Sequence, residues 1–422
     1  MKNTVLTLIA ISCFISCTSS KKVIFKSVET TLNSPFYENQ FTGFLVVDVN
    51  TKDTLYNKNS KKYFTPASNT KVFTLYAALK TLPKNIPVLR YVKQNDTVYI
   101  EGTGDPSFLH PYLKDSTAFN FLKQQKNLAF FPGNFQDTPL GPGWAWEDFD
   151  SFYSPERSAL PMYGNLIAIT KTPKEEVLPD YFKDSVQYIS NNTNRHRHQN
   201  QFYFDPTRTD TLEVPFTTGI STLKNLLEQA LEKQIVMLKK MPEGQKQTLY
   251  GIEGDSLYVP LMHESDNFIA EQLLLLSASE LTDTLNSQIA RTFVLEKLLP
   301  NLPQAPRWVD GSGLSRYNLF TPESMVYVLE RLYKEIPRER LFKIFPSGGV
   351  SGTLEDWYSG NEKPYLYAKS GSLGNNYCLS GYLVTASGKT VIFSFMNNHF
   401  RQPSSEVKMR MEAIFEEIRD TY

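Results

Sequence analysis

At 422 residues the chain exceeds what one hydrophobic core usually organises, so two or more domains are expected. Lys plus Arg equals Asp plus Glu at 44 each. That balance argues against a protein built around nucleic acid or an anionic membrane face and makes any charged recognition local.

The N-terminus reads MKNTVLTLIAISCFISC: one Lys, then an apolar run from Val5 to Ile15. The run is too short to span a bilayer, so residues 1–17 are read as an export signal. FISC, ending at Cys17 and followed by Thr18, Ser19 and Ser20, resembles a bacterial lipoprotein cleavage site. Cys17 is then the expected lipidation residue, and the mature protein an exported, periplasmic, membrane-anchored lipoprotein. Ordinary cleavage nearby is the alternative, with Cys13 a weaker lipidation candidate. No other segment is apolar enough to span a bilayer, so the lipid anchor is the one membrane contact expected. Once the signal is removed, Cys378 has no partner for an internal disulfide, and its apolar setting, NNYCLSGYLV, suits packing rather than reactivity.

FTGFLVVDVNTKDTLYNKNS predicts two strands joined by a turn at Asn50 to Asp53. From Ser68 the spacing becomes helical, with Val72, Leu75, Tyr76 and Leu79 on one face, until the prolines of LPKNIP. Between residues 88 and 255, short strand-like runs (DTVYIEG, LIAIT, SVQYIS, NQFYF) alternate with turns, and a helix is expected near Thr222 to Lys233. Helical patterns then lead to YLYAKSGSLGNNYCLSGYLVTASGKTVIFSFMNN, which reads as consecutive antiparallel strands with a turn at Ser387-Gly388-Lys389. A last helix runs from about Ser405 to Thr421. The expectation is one α/β (α+β) domain, 22–87 with 256–422, interrupted by a β-rich insertion over 88–255.

Ser68 and Lys71, in PASNTKVFT, stand three apart at a helix start, so the amine can reach the hydroxyl and the helix end offers N–H donors to an oxyanion. Alone, such a pair is more often an N-cap with a solvated lysine. Two further elements change the balance: Ser265-Asp266-Asn267, and Lys369-Ser370-Gly371 at the start of a strand. In this order the three form the Ser-x-x-Lys, Ser-Asp-Asn, Lys-Thr-Gly set of penicillin-binding proteins and class A β-lactamases, with Ser for Thr. The chemistry is acyl transfer. Serine needs a neighbouring base, and Lys71 qualifies if desolvation and the charge of Lys369 lower its pKa. Ser265 would relay a proton to the leaving amine and Asn267 hold a substrate amide. Lys369 and Ser370 would bind a terminal carboxylate, and the Ser68 and Ser372 amides would face the oxyanion. His196, His198 and His263 lack companions at metal spacing, and no metal or organic cofactor is implied.

GTGDPSF, GWAWEDFDSFYSPERSALPMYGN, SDNFIAEQLL, DGSGLSRYN, GGVSGTL and the closing strand block follow in one order from about residue 43 to 400. In that order they resemble the class C low-molecular-mass penicillin-binding proteins, the D-alanyl-D-alanine carboxypeptidase/endopeptidases of peptidoglycan. The resemblance implies a serine β-lactamase/transpeptidase-like domain with an antiparallel sheet flanked by helices, split by an insertion after the nucleophile helix. It implies muropeptides as substrates, removal of the terminal D-Ala with or without cleavage of cross-links, and β-lactams as inhibitors that acylate Ser68. It places Asp148 and Tyr153 near the substrate's diamino-acid side chain, with Arg316 as partner for that side chain's carboxylate. Three positions depart from the usual pattern: Ser370 for Thr, Trp357 where an Arg is usual, and Gly374 for a longer side chain. The insertion also reads as shorter than in the larger members. Two other readings stay open: a β-lactamase or esterase of the same fold, and a non-catalytic muropeptide-binding lipoprotein.

Overall fold

Five strands form the central antiparallel sheet, in the order Leu366–Leu373, Asn376–Val384, Thr390–Asn398, Phe41–Asp48 and Thr54–Lys58. The computed structural model describes residues 20–171 and 173–422; the expected signal 1–17, with Cys17, lies outside the described residues. Among the described residues no helix is long and apolar enough to cross a membrane. Both sheet faces are covered, which is why Asn376–Val384 and Thr390–Asn398 are apolar and buried almost throughout rather than alternating with polar residues. Their side chains still alternate in direction. Cys378, Tyr382, Ile392 and Met396 face the core shared with helices Lys71–Thr81, Asn267–Leu281 and Pro322–Glu335. Leu379, Leu383, Phe393 and Phe395 face helix 20–32 and helix Ser404–Thr421, where Phe44 stacks on Phe395 at 4.2 Å. Cys378 is therefore packing, and burial pushes its thiol up to about 12.

Helix Asn267–Leu281 carries apolar residues all round and is buried from Phe268 to Ser279, with Glu271 and Gln272 as its buried polar members, so it threads the interior instead of lying on the surface. Its N-cap is Asp266, which accepts from the Ile269 amide at 2.8 Å.

After helix Lys71–Thr81 the chain builds a mixed five-stranded sheet, in the order Ile235–Met237, Asn127–Phe131, Thr97–Gly102, Asn85–Gln94 and Gln247–Glu253. A three-stranded antiparallel sheet joins it, and the two share their own apolar core around Val98, Ile100, Phe130, Ile167, Phe182 and Leu227. SVQYIS and NQFYF contribute only the two-residue strands Val186–Gln187 and Phe202–Tyr203, because turns and side-chain hydrogen bonds take up their remaining backbone groups. The helix expected near Thr222 starts two residues earlier, at Ile220. Gln272, deep in the buried helix, donates to the carbonyls of Gly104 at 2.7 Å and Ser158 at 3.0 Å. That anchor ties the segment that follows the GWAWEDFDSFY loop, and the Gly104 turn, to helix Asn267–Leu281.

Candidate active site

Ser68 lies in a 3-10 turn, Ala67–Thr70, that leads directly into helix Lys71–Thr81. The sequence suggested that Ser68 caps this helix. Its hydroxyl makes no cap bond; it accepts from the Lys71 amine at 2.9 Å. The tighter turn explains the difference, because it places Ser68 three residues before the α-helix, two ahead of its N-cap Thr70, with its hydroxyl within reach of Lys71. Ala67 takes a left-handed φ of 49°, so the backbone turns sharply into the serine.

Two close backbone approaches frame this turn. At Gly371 on the edge strand, a Cβ would come within 2.5 Å of the Pro66 carbonyl. At Gly313, with φ +88°, a Cβ would come within 2.0 Å of the Ala67 carbonyl. Only glycine permits either contact. Asn69, fully buried, fastens the turn to the sheet by donating to the carbonyls of Lys369 at 2.9 Å and Cys378 at 3.3 Å.

The Lys71 amine is fully buried and spends all its donors, on Ser68, on Asn267 Oδ1 at 2.6 Å and on the Ser312 carbonyl at 2.8 Å. Burial brings its pKa down to about 8, against the opposing pull of Asp266, Asp310 and Glu271. Lys369 is equally buried; burial and the charge of Lys71 hold its amine well below the usual lysine range, and it donates to the Ser370 carbonyl at 2.9 Å. Lys369 sits at the centre of strand Leu366–Leu373 rather than at its start, opposite Ser380. That strand is the edge of the sheet; Ser347 bridges it at Tyr367, and from Ser370 to Leu373 no second strand lies beside it among the described residues, which leaves room for a ligand's backbone. Ser370 donates to the Thr353 hydroxyl at 2.7 Å, while Ser372 is exposed on the same strand.

Asn267 joins the two halves of the cleft: Oδ1 accepts from Lys71, and Nδ2 donates to the Tyr153 carbonyl at 2.9 Å. Tyr153 in turn donates its hydroxyl to Asp148 at 2.8 Å, so these two expected residues meet each other and the Ser265-Asp266-Asn267 segment. Ser265, with φ 56°, makes no side-chain hydrogen bond among the described residues; the partner of Lys71 from this segment is Asn267. Arg316 is exposed, and its guanidinium lies 3.7 Å from where a Cβ of Gly374 would sit. Gly374 thus leaves room for the arginine. Trp357, where an Arg was anticipated, packs under Lys408, with the amine 4.8 Å from the ring.

The sequence reading missed the support beneath Lys71. Asp310 is fully buried and accepts from the amides of Gly313 (2.9 Å) and Ser315 (2.7 Å), from Asn318 Nδ2 (2.7 Å) and from the Trp144 indole (2.9 Å). Glu271 accepts from the Ser312 amide at 2.7 Å. Its position four residues after Asn267, on the same helix face, was an available signal.

A half-buried serine hydroxyl beside a lysine amine of lowered pKa, next to a sheet edge, is an arrangement for nucleophilic acyl transfer. The fold and the site thus have the layout of a serine hydrolase of the Ser–Lys type. The comparisons with known proteins narrow this class. The family model for the D-Ala-D-Ala carboxypeptidase 3 (S13) family matches residues 24–244 and 225–418, and the chain belongs to that family of serine peptidases. The D-alanyl-D-alanine carboxypeptidase DacB of Haemophilus influenzae is 24% identical over 438 residues, covering 91% of each chain. A D-alanyl-D-alanine carboxypeptidase of an Actinomadura species is 26% identical over 442 residues, covering 90% of this chain and 81% of the relative. Among solved structures, penicillin binding protein 4 of Haemophilus influenzae superposes with a TM-score of 0.69 at 22% identity, over 90% of this chain and 95% of that one.

Proposed function

We propose that this protein is a serine D,D-peptidase of peptidoglycan that removes the terminal D-Ala of muropeptides through an acyl-Ser68 intermediate. The observation that carries the proposal is the 2.9 Å contact between a half-buried Ser68 and a fully buried Lys71 of lowered pKa. In this reading the neutral Lys71 amine takes the Ser68 proton while Oγ bonds to the penultimate D-Ala carbonyl carbon. The C–N bond then breaks, and the leaving amine takes a proton passed from Lys71, with Ser265 as the relay. Water attacks the ester in a second step and returns the Ser68 hydroxyl. The amides of Ser68 and Ser372 hold the oxyanion. Asn267 and Gly371 line the path of the substrate backbone, and Lys369 with Ser370 receives the terminal carboxylate. Asp148, Tyr153 and Arg316 surround the side chain of the diamino acid. Export and a lipid anchor at Cys17 complete the proposal, since the substrate lies outside the cytoplasm.

Cleavage of cross-links is a second activity of the same site. A predatory peptidoglycan endopeptidase of Bdellovibrio bacteriovorus shares the fold at a TM-score of 0.54 and 15% identity. The leaving group of a cross-link is also an amine on a carbon that bears a carboxylate, so the chemistry is unchanged. The test is incubation of the purified protein with monomeric pentapeptide and cross-linked dimeric muropeptides, read by chromatography and mass spectrometry. D-Ala release that disappears in Ser68→Ala supports the proposal. Unchanged muropeptides with the wild type overturn it in favour of a binding lipoprotein, and rapid β-lactam turnover without D-Ala release in favour of a β-lactamase.

A further inference from the structure

Helix Asn267–Leu281 holds Lys71 twice. Asn267 does so directly; one turn later, Glu271 does so through the backbone. One Glu271 oxygen accepts from the Ser312 amide at 2.7 Å, and the carbonyl of Ser312 accepts from the Lys71 amine at 2.8 Å. The other Glu271 oxygen lies 3.4 Å from Arg157 Nη1. Arg157 comes from the long segment between the two halves of the main domain, is 1% exposed, and fans out to Asp137 at 3.2 Å, Ser287 at 3.3 Å and the Thr138 carbonyl at 3.0 Å. The contact between Glu271 and Arg157 is out of water, so each charge is felt strongly by the other.

From these contacts we infer that Glu271 is a positioning residue. Clamped by Arg157, it fixes the Ser312 carbonyl beneath the Lys71 amine and, by its charge, contributes with Asp266 and Asp310 to the pH at which Lys71 can accept a proton. The inference rests on Lys71 being the base for Ser68, as proposed above. The groups that face Lys71 are Asp266, Asp310 and Glu271, with Lys369 opposing. Those that face Glu271 are Asp310, Arg157 and Arg291, with Asp137 behind the arginines. Burial and Asp310 hold the Glu271 carboxyl above the usual range, while Arg157 and the Ser312 amide favour its charged form. A carboxylate so placed favours the protonated Lys71 amine. Glu271, together with Asp266 and Asp310, thus holds the amine's pKa above the value that burial alone would impose, a correction that the uncharged Asn267 cannot make.

The test is the pH profile of acylation by a fluorescent penicillin in wild type, Glu271→Gln and Glu271→Asp. With Glu271→Gln the acid limb should move down by about one pH unit, because a negative charge is lost beside Lys71. With Glu271→Asp, which keeps the charge, the limb should stay while the plateau rate falls. A limb that stays at the wild-type pH in Glu271→Gln, with only the plateau lowered, overturns the inference and leaves Glu271 a purely structural residue. If the Gln variant does not fold, as judged by circular dichroism, the uncharged and similarly sized Glu271→Met takes its place, with the same outcomes. Failure of the underlying reading has a different signature, since a wild-type adduct that survives Ser68→Ala, or no adduct at all, removes Lys71 from the reaction whatever the Glu271 variants do.

Discussion

Replacing Gly371 by Ala tests whether the edge strand and the nucleophile turn must touch. The added Cβ would stand 2.5 Å from the Pro66 carbonyl oxygen and 2.9 Å from both the amide and the side-chain nitrogen of Asn69. Two of these three atoms are backbone and cannot turn aside by changing rotamer. Comfortable contacts lie near about 3.5 Å, so strand and turn must part by roughly an ångström. Such overpacking costs about 1–3 kcal/mol of stability. It also stretches the bonds from Asn69 to the carbonyls of Lys369 and Cys378. The amides of Ser68 and Ser372 sit on opposite sides of this seam, and misplacing one oxyanion donor costs about 10²–10³ in rate. The second-order rate of acylation by a fluorescent penicillin should therefore fall about a hundredfold, with a lower Tm by calorimetry. Acylation within about threefold of wild type, at unchanged Tm, would refute the reasoning.

Three further outcomes follow from the same geometry. Because burial brings the Lys71 amine down to about 8, the acylation rate should climb roughly tenfold per pH unit below that value and level off above it; a flat profile across this range contradicts a neutral Lys71 base. Asn69→Ala removes the side-chain donor to two buried strand carbonyls and should lower stability by about 1–3 kcal/mol in denaturant unfolding; an unchanged midpoint contradicts its role as the fastener. Asp105 is fully buried, its Oδ1 has no hydrogen-bond partner among the described residues, and burial pushes its carboxyl up to about 7. A raised carboxyl contributes stability below its unfolded value near about 4 and loses it as pH rises through the folded value. The Tm advantage of Asp105→Asn should therefore be larger at pH 8 than at pH 5, and an advantage independent of pH contradicts the assignment.

The parts of the site legible in the sequence were those written within a single turn or strand. Ser68 and Lys71 are three apart, and helical geometry brings them together without help from the rest of the chain. The closing strands were legible for a similar reason: hairpin neighbours pair locally, and their long apolar runs announced burial on both faces. Contacts between distant segments were hidden. Nothing local in DGSGLS indicates that the Ser312 carbonyl meets an amine 241 residues earlier, or that Gly313 makes room for the Ala67 carbonyl. The capping role suggested for Ser68 gave way because the lysine competes for the same hydroxyl and the turn is 3-10 rather than α. The link from Asn267 to the Tyr153 carbonyl could not be anticipated, since it depends on how the GWAWEDFDSFY loop docks on a helix more than a hundred residues later.

The central claim is that Ser68 becomes covalently acylated with Lys71 as its base. Intact-protein mass spectrometry after brief exposure to penicillin, followed by peptide mapping, measures this directly. The account predicts one added penicilloyl group on the peptide that contains Ser68, absent in Ser68→Ala and formed far more slowly in Lys71→Met. An adduct on another residue, or one that forms equally fast without Lys71, would contradict it.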